Sequence, residues 1–102
     1  MNVLFLIKMR VSFPNELSDN DRSVLRVQEA EVAKKLAREG SLLRLWKTDS
    51  NNATWGIWRA EDERKVELAI ESLPLHRYME TEIHQLTEHP NDPKASEMRL
   101  PA

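Results

Sequence analysis

The sequence predicts an α+β fold of the ferredoxin-like type, in the order β-α-β-β-α-β, with a four-stranded antiparallel sheet and two helices on one of its faces. Three observations carry this prediction. A run of large and β-branched apolar residues, VLFLI at 3–7, opens the chain. Two later segments repeat apolar residues at helical spacing. The polar cluster Asp49-Ser50-Asn51-Asn52 separates two strand-like runs, as a hairpin turn does. Two right-handed split crossovers join such elements into a single sheet.

The first strand is read over residues 3–11, VLFLIKMRV, ahead of Pro14. Alternation puts Val3, Phe5, Ile7, Met9 and Val11 on one face and Leu4, Leu6, Lys8 and Arg10 on the other. A helix follows over residues 19–39. Ser18 with Asp21 three residues on resembles a capping box, and Gly40 stands where a left-handed residue ends a helix. Its apolar stripe is Leu25, Val32 and Leu36. Residues 42–48 and 53–59, LLRLWKT and ATWGIWR, are the hairpin strands. Asp62 is placed to cap a second helix, whose inner face is Val66, Ala69, Ile70 and Leu73. Pro74 ends it, because the residue before proline is driven out of the helical region. Residues 79–87 form the last strand, with Thr81, Ile83 and Gln85 facing one way.

The domain is expected to span residues 1–90. Residues 91–102 form a polar tail with Pro93 and Pro101, expected to lie over a surface or a partner. The sheet face away from the helices also needs cover. Leu4, Leu6 and some of Leu42, Trp46 and Trp58 are the candidates for it. A sheet that is apolar on both faces with helices on only one predicts a homo-oligomer of the dimeric α+β barrel type.

Composition excludes several classes. A net charge of −2 over 102 residues points to neither nucleic acid nor an anionic membrane. The apolar opening is too short for a signal peptide or a membrane span. Without cysteine there is no disulfide framework, thiolate metal site or cysteine nucleophile. That composition suits the cytoplasm. Two glycines cannot build a glycine-rich phosphate loop.

Glu29 is the most informative polar residue. It lies about 40° around the helix from Leu25, beside the apolar stripe. Burial there would raise its pKa toward what a general base needs near neutral pH. An edge position that reaches water or an ion pair is the alternative. Lys8, mid-strand beside Leu4 and Leu6, could hold a carboxylate or an oxyanion, or could snorkel from the sheet. Arg44 could clamp a carboxylate or pair with a surface acid. His76 and Tyr78, after Pro74, could donate to a developing oxyanion or serve as caps. Trp55, near the hairpin, could stack on a ligand or pack in an interface. His84 faces away from Thr81 and Ile83. His76, His84 and His89 lack the spacing of a metal site, so no metal is expected.

Several stretches together resemble the muconolactone Δ-isomerase family. They are FLIKM at 5–9, the Leu25–Glu29 segment, REGSLLRLW at 38–46 and LPLHRYMETEIHQLTEHP at 73–90. The likeness runs over roughly residues 3–90 without an obvious insertion. It implies the ferredoxin-like fold and homo-oligomers, from dimers to decamers built of dimers. It also implies a cofactor-independent conversion of muconolactone to the 3-oxoadipate enol-lactone, in the β-ketoadipate pathway of aromatic catabolism. By position it places Glu29 on a family acid and Lys8 on a family lysine. Glu29 is then the expected proton shuttle, with Lys8, Arg44, Trp55, His76 and Tyr78 around the substrate.

The chain departs from the family pattern at places expected to line the pocket. It has His76-Arg77 for Phe-Pro, Arg44 for histidine, Ala53-Thr54-Trp55 for Ala-Asn-Tyr and Leu42 for tryptophan. These departures leave open a related lactone dehalogenase, methyl-isomerase or cyclase. A non-catalytic ligand-binding relative and a cofactor-free monooxygenase are the readings from other classes.

Overall fold

The computed structural model describes residues 2–48 and 53–94. The elements run β1 (Val3–Val11), α1 (Asp19–Arg38), β2 (Leu42–Lys47), β3 (Ala53–Ala60), α2 (Glu63–Glu71), a 3-10 helix η1 (Pro74–Tyr78) and β4 (Met79–Leu86). The four strands form one antiparallel sheet in the order β2-β3-β1-β4. The expected turn at 49–52 and the tail from residue 95 onward lie outside the described residues.

Each helix is delimited by its sequence. Ser18 accepts a hydrogen bond from the Asp21 N–H at 3.0 Å, and Asp19 and Asp21 bring negative charge to the positive end of α1. At the other end Gly40 has φ +84°. The Gly40 N–H donates to Ala37 and the Ser41 N–H to Leu36, each at 3.0 Å. That pair of bonds is a Schellman motif, which needs a left-handed residue at Gly40. Asp62 accepts from the Lys65 N–H at 2.8 Å and starts α2.

The core lies between the helices and one sheet face. Phe5, Ile7 and Met9 of β1 meet Leu36 of α1, Val66 and Ile70 of α2, and Leu73. Leu42 and Trp58 also belong to this layer, so of the three candidates for the opposite face Trp46 lies there and these two do not. The cause is register: Trp58 stands across from Phe5 and Leu42 across from Trp58, and directly paired residues share a face. A bulge between Leu42 and Arg44 then inverts the alternation of β2. It turns Arg44 and Trp46 onto the open face, opposite Ile57 and Trp55.

The open face therefore carries Leu4, Leu6, Ile57, Trp46, Trp55 and Leu86, with Lys8, Arg10, Glu80, Glu82 and His84 between them. Leu4 and Trp46 are exposed. A second departure is the segment after α2. Residues 74–78, between the predicted second helix and last strand, wind into a 3-10 helix. Pro74, with φ preset by its ring, fills the first position, and Leu73 enters in extended conformation.

Candidate active site

Glu29 sits mid-helix on α1, on the face turned toward η1. Its Oε1 accepts the Leu75 N–H at 2.9 Å across 46 residues of sequence. The side chain is half-buried. Burial raises its carboxyl above the ordinary value, and the Leu75 N–H, which favours the charged form, offsets part of that rise. A carboxylate accepting through one oxygen is held in orientation while its other oxygen remains available to a reactant.

The shift has a measurable consequence for stability. The folded protein holds the Glu29 proton more tightly than the unfolded chain does. Glu29 therefore favours folding below its unfolded value, and that contribution is lost as pH rises through the raised folded value. Glu29→Gln is expected to flatten this part of the stability–pH curve. Denaturant midpoints measured from pH 4 upward check it, and a wild-type slope retained in the variant would contradict it.

An aromatic pair surrounded by arginines lies at the same end of the molecule. The Phe13 and Tyr78 rings meet edge-on, with centroids 5.6 Å apart. The guanidinium carbons of Arg22 and Arg26 stand 5.4 and 5.2 Å from the Phe13 centroid. Arg77 stands 5.4 Å from that of Tyr78. Arg22, Arg26 and Glu29 are spaced by four and three residues, so they share one face of α1. Leu75 and Tyr78 are three apart in a 3-10 helix, so they too lie on one face. Half-buried His76 stands between them in sequence.

The sheet separates the residues that the sequence had grouped. Glu29, His76 and Tyr78 lie on the helix side or at its upper end. Lys8, Arg44 and Trp55 lie on the open face. Lys8 Nζ is 3.7 Å from Glu82 and 5.6 Å from the Trp55 ring centroid, and Arg44 stands 4.6 Å from that of Trp46. Strand alternation separates Lys8 from the Glu29 side, and the β2 bulge does the same for Arg44. A hollow of about 250 Å³ opens beside Lys8, Arg10 and Glu80–Glu82. Another of about 310 Å³ lies at the far end, beside Gly40, Arg59 and Lys65. Glu29 lines neither.

Phe13 and Arg26 were missed in the sequence. For Arg26 the signal in the sequence is the Arg22-Arg26-Glu29 spacing, which sets two arginines and the acid on one helix face beside the apolar stripe. Among the described residues no three His, Asp or Glu side chains are grouped to hold a metal ion, and no helix is long and apolar enough to cross a membrane.

Comparison with known proteins follows the same lines. A family model for muconolactone delta-isomerase matches residues 3–92. The muconolactone Delta-isomerase of Pseudomonas aeruginosa is 32% identical over 89 residues, covering 87% of this chain and 93% of that protein. The Pseudomonas putida enzyme of the same name is 29% identical over the same shares. A crystal structure of muconolactone isomerase superposes with a TM-score of 0.80 at 29% identity, covering 88% of this chain and 94% of that one. SnoaB, a cofactor-independent oxygenase from Streptomyces nogalater, superposes at 0.55 with 18% identity, a likeness of fold alone.

Proposed function

The chain belongs to the muconolactone delta-isomerase family, and we propose that it moves a proton within an unsaturated lactone, converting muconolactone to the 3-oxoadipate enol-lactone, with Glu29 as the base. One observation carries the assignment of the base. Glu29 is a half-buried carboxylate of raised pKa, oriented by the Leu75 N–H.

The reaction needs only proton transfer. The Glu29 carboxylate removes the proton from the γ carbon of the ring. The electrons of that C–H bond spread through the ring double bond to the lactone carbonyl, giving a dienolate. The protonated Glu29 then returns a proton to the α carbon, and the double bond comes to rest between the β and γ carbons. Atoms and charge balance without a redox partner, so no cofactor is called for. A pKa raised from the ordinary carboxylate value favours both halves, because the base must also serve as the acid. His76 and Tyr78, both carried on η1, are the assigned donors toward the lactone oxygen, where charge develops.

Lys8, Arg44 and Trp55 are assigned to the open sheet face, which we read as the contact with a second copy of the chain in a homo-oligomer. That face is a continuous band of leucine, isoleucine and tryptophan side chains with charges between them. Light scattering at micromolar concentration is expected to give a dimer or larger, and a monomer would contradict the assignment. We read the protein as cytoplasmic, in keeping with the catabolic reaction proposed for it.

The same hydrogen bond favours a second reading, in which Glu29 only caps the 3-10 helix and the protein binds a ligand without turnover. Incubation of the wild-type protein with muconolactone, followed by NMR of the ring protons, separates the two. Conversion above background is expected, and none would leave the binding reading.

A further inference from the structure

We propose that Arg26, laid over Phe13 on the Glu29 face of α1, holds the carboxylate arm of the substrate and sets the preference for acidic lactones. The proposal deepens the isomerase reading and rests on it. A lactone with a carboxymethyl arm brings one anion to the site, and a cation must meet it while leaving the base free. Lys8 and Arg44, the cations anticipated for that task, stand on the other side of the sheet.

Arg26 meets the requirement in three ways. It is three residues from Glu29, hence one turn away on the same helix face. Its guanidinium carbon lies 5.2 Å from the Phe13 centroid, and its side chain makes no ion pair among the described residues. Cation–π attraction to the ring holds it ready and exposed. It also keeps the cation off Glu29, whose carboxyl stays raised with burial as the main cause; an ion pair between the two would lower it.

The neighbouring groups fix the platform. Arg22 donates through Nε to the Leu17 carbonyl at 3.2 Å and through Nη2 to the Pro14 carbonyl at 3.1 Å. It thereby secures the loop that presents Phe13. Tyr78 supports the same ring from η1, the element that orients Glu29. Base and anion site are thus built from one helix face and one 3-10 helix. A substrate spanning them would place its arm near Arg26 and its ring near Glu29.

The test compares wild type, Arg26→Gln and Arg26→Lys on two lactones. One is muconolactone, and the other is the neutral butenolide with a methyl group in place of the carboxymethyl arm. In parallel, NMR titration measures binding of the saturated carboxymethyl lactone, which cannot isomerise. Arg26→Gln is expected to lower the ratio of kcat/KM for acid over neutral lactone by roughly ten- to a hundred-fold, the size of a charge-assisted hydrogen bond. It should weaken the saturated acid to a similar degree, with Arg26→Lys between the two. An unchanged ratio and unchanged affinity would overturn the role of Arg26 while leaving the isomerase reading intact. Arg26-dependent binding without any turnover by wild type would support the anion site and overturn the isomerase reading.

Discussion

Glu29→Gln is expected to lower kcat on muconolactone by roughly 10²–10⁴-fold, the contribution typical of a positioned general acid–base, while the protein stays folded. The substitution is chosen for what it keeps. A glutamine carbonyl can still accept the Leu75 N–H, so the contact between α1 and η1 survives. It cannot take up a proton. Burial, which makes the carboxylate costly at neutral pH, then weighs less on the variant, so the folded state should be at least as stable as wild type. A large loss of rate beside equal or greater stability would mark a group kept for chemistry. Steady-state kinetics and circular dichroism on the same samples give both quantities. Full activity in Glu29→Gln would assign the residue to capping alone.

The largest effect on stability is expected at Trp58. Its side chain is fully buried in the layer shared with Phe5, Leu42, Val66 and Ile70. A Cβ added at Gly56 would lie 2.8 Å from Trp58 Nε1, so glycine is what lets the indole lie so close over the strand. Trp58→Ala should cost about 3–5 kcal/mol, a large share of the ~5–15 kcal/mol that holds a domain of this size together. Trp58→Phe should cost much less, about 1–2 kcal/mol for the smaller void. The reason is specific: Trp58 Nε1 has no hydrogen-bond partner among the described residues, so removing it orphans no acceptor. Urea midpoints followed by far-ultraviolet circular dichroism order the three proteins. Equal losses in the two variants would contradict an unpartnered indole.

The element order was legible because each signal was local. The alternation of β1, the caps at Ser18 and Asp62, the stop at Pro74 and the left-handed Gly40 all act within a few residues. What escaped was set at a distance. Trp58 and Leu42 could not be given a face until the register with Phe5 was known, and the β2 bulge has no marker in LLRLWK. The site divided for the same reason. Lys8 and Glu29 are each plausible by pattern, but strand alternation and helix packing set them on opposite sides of the sheet. Glu29 itself was visible as an acid beside an apolar stripe. Its partner Leu75 was not, because a main-chain donor leaves no trace in residue type.

Glu29 as the proton-abstracting base is tested most directly by following the γ hydrogen itself. Muconolactone is incubated in deuterated water with wild type and with Glu29→Gln, and proton NMR follows the γ hydrogen of remaining substrate and the α position of product. Wild type is expected to remove the γ hydrogen as the lactone isomerises, with deuterium reaching the α carbon only in those turnovers in which protonated Glu29 exchanges with solvent before returning a proton, and Glu29→Gln to slow loss of the γ hydrogen by the same roughly 10²–10⁴-fold. Loss of the γ hydrogen at the wild-type rate in Glu29→Gln would contradict the account, because another group would then be the base.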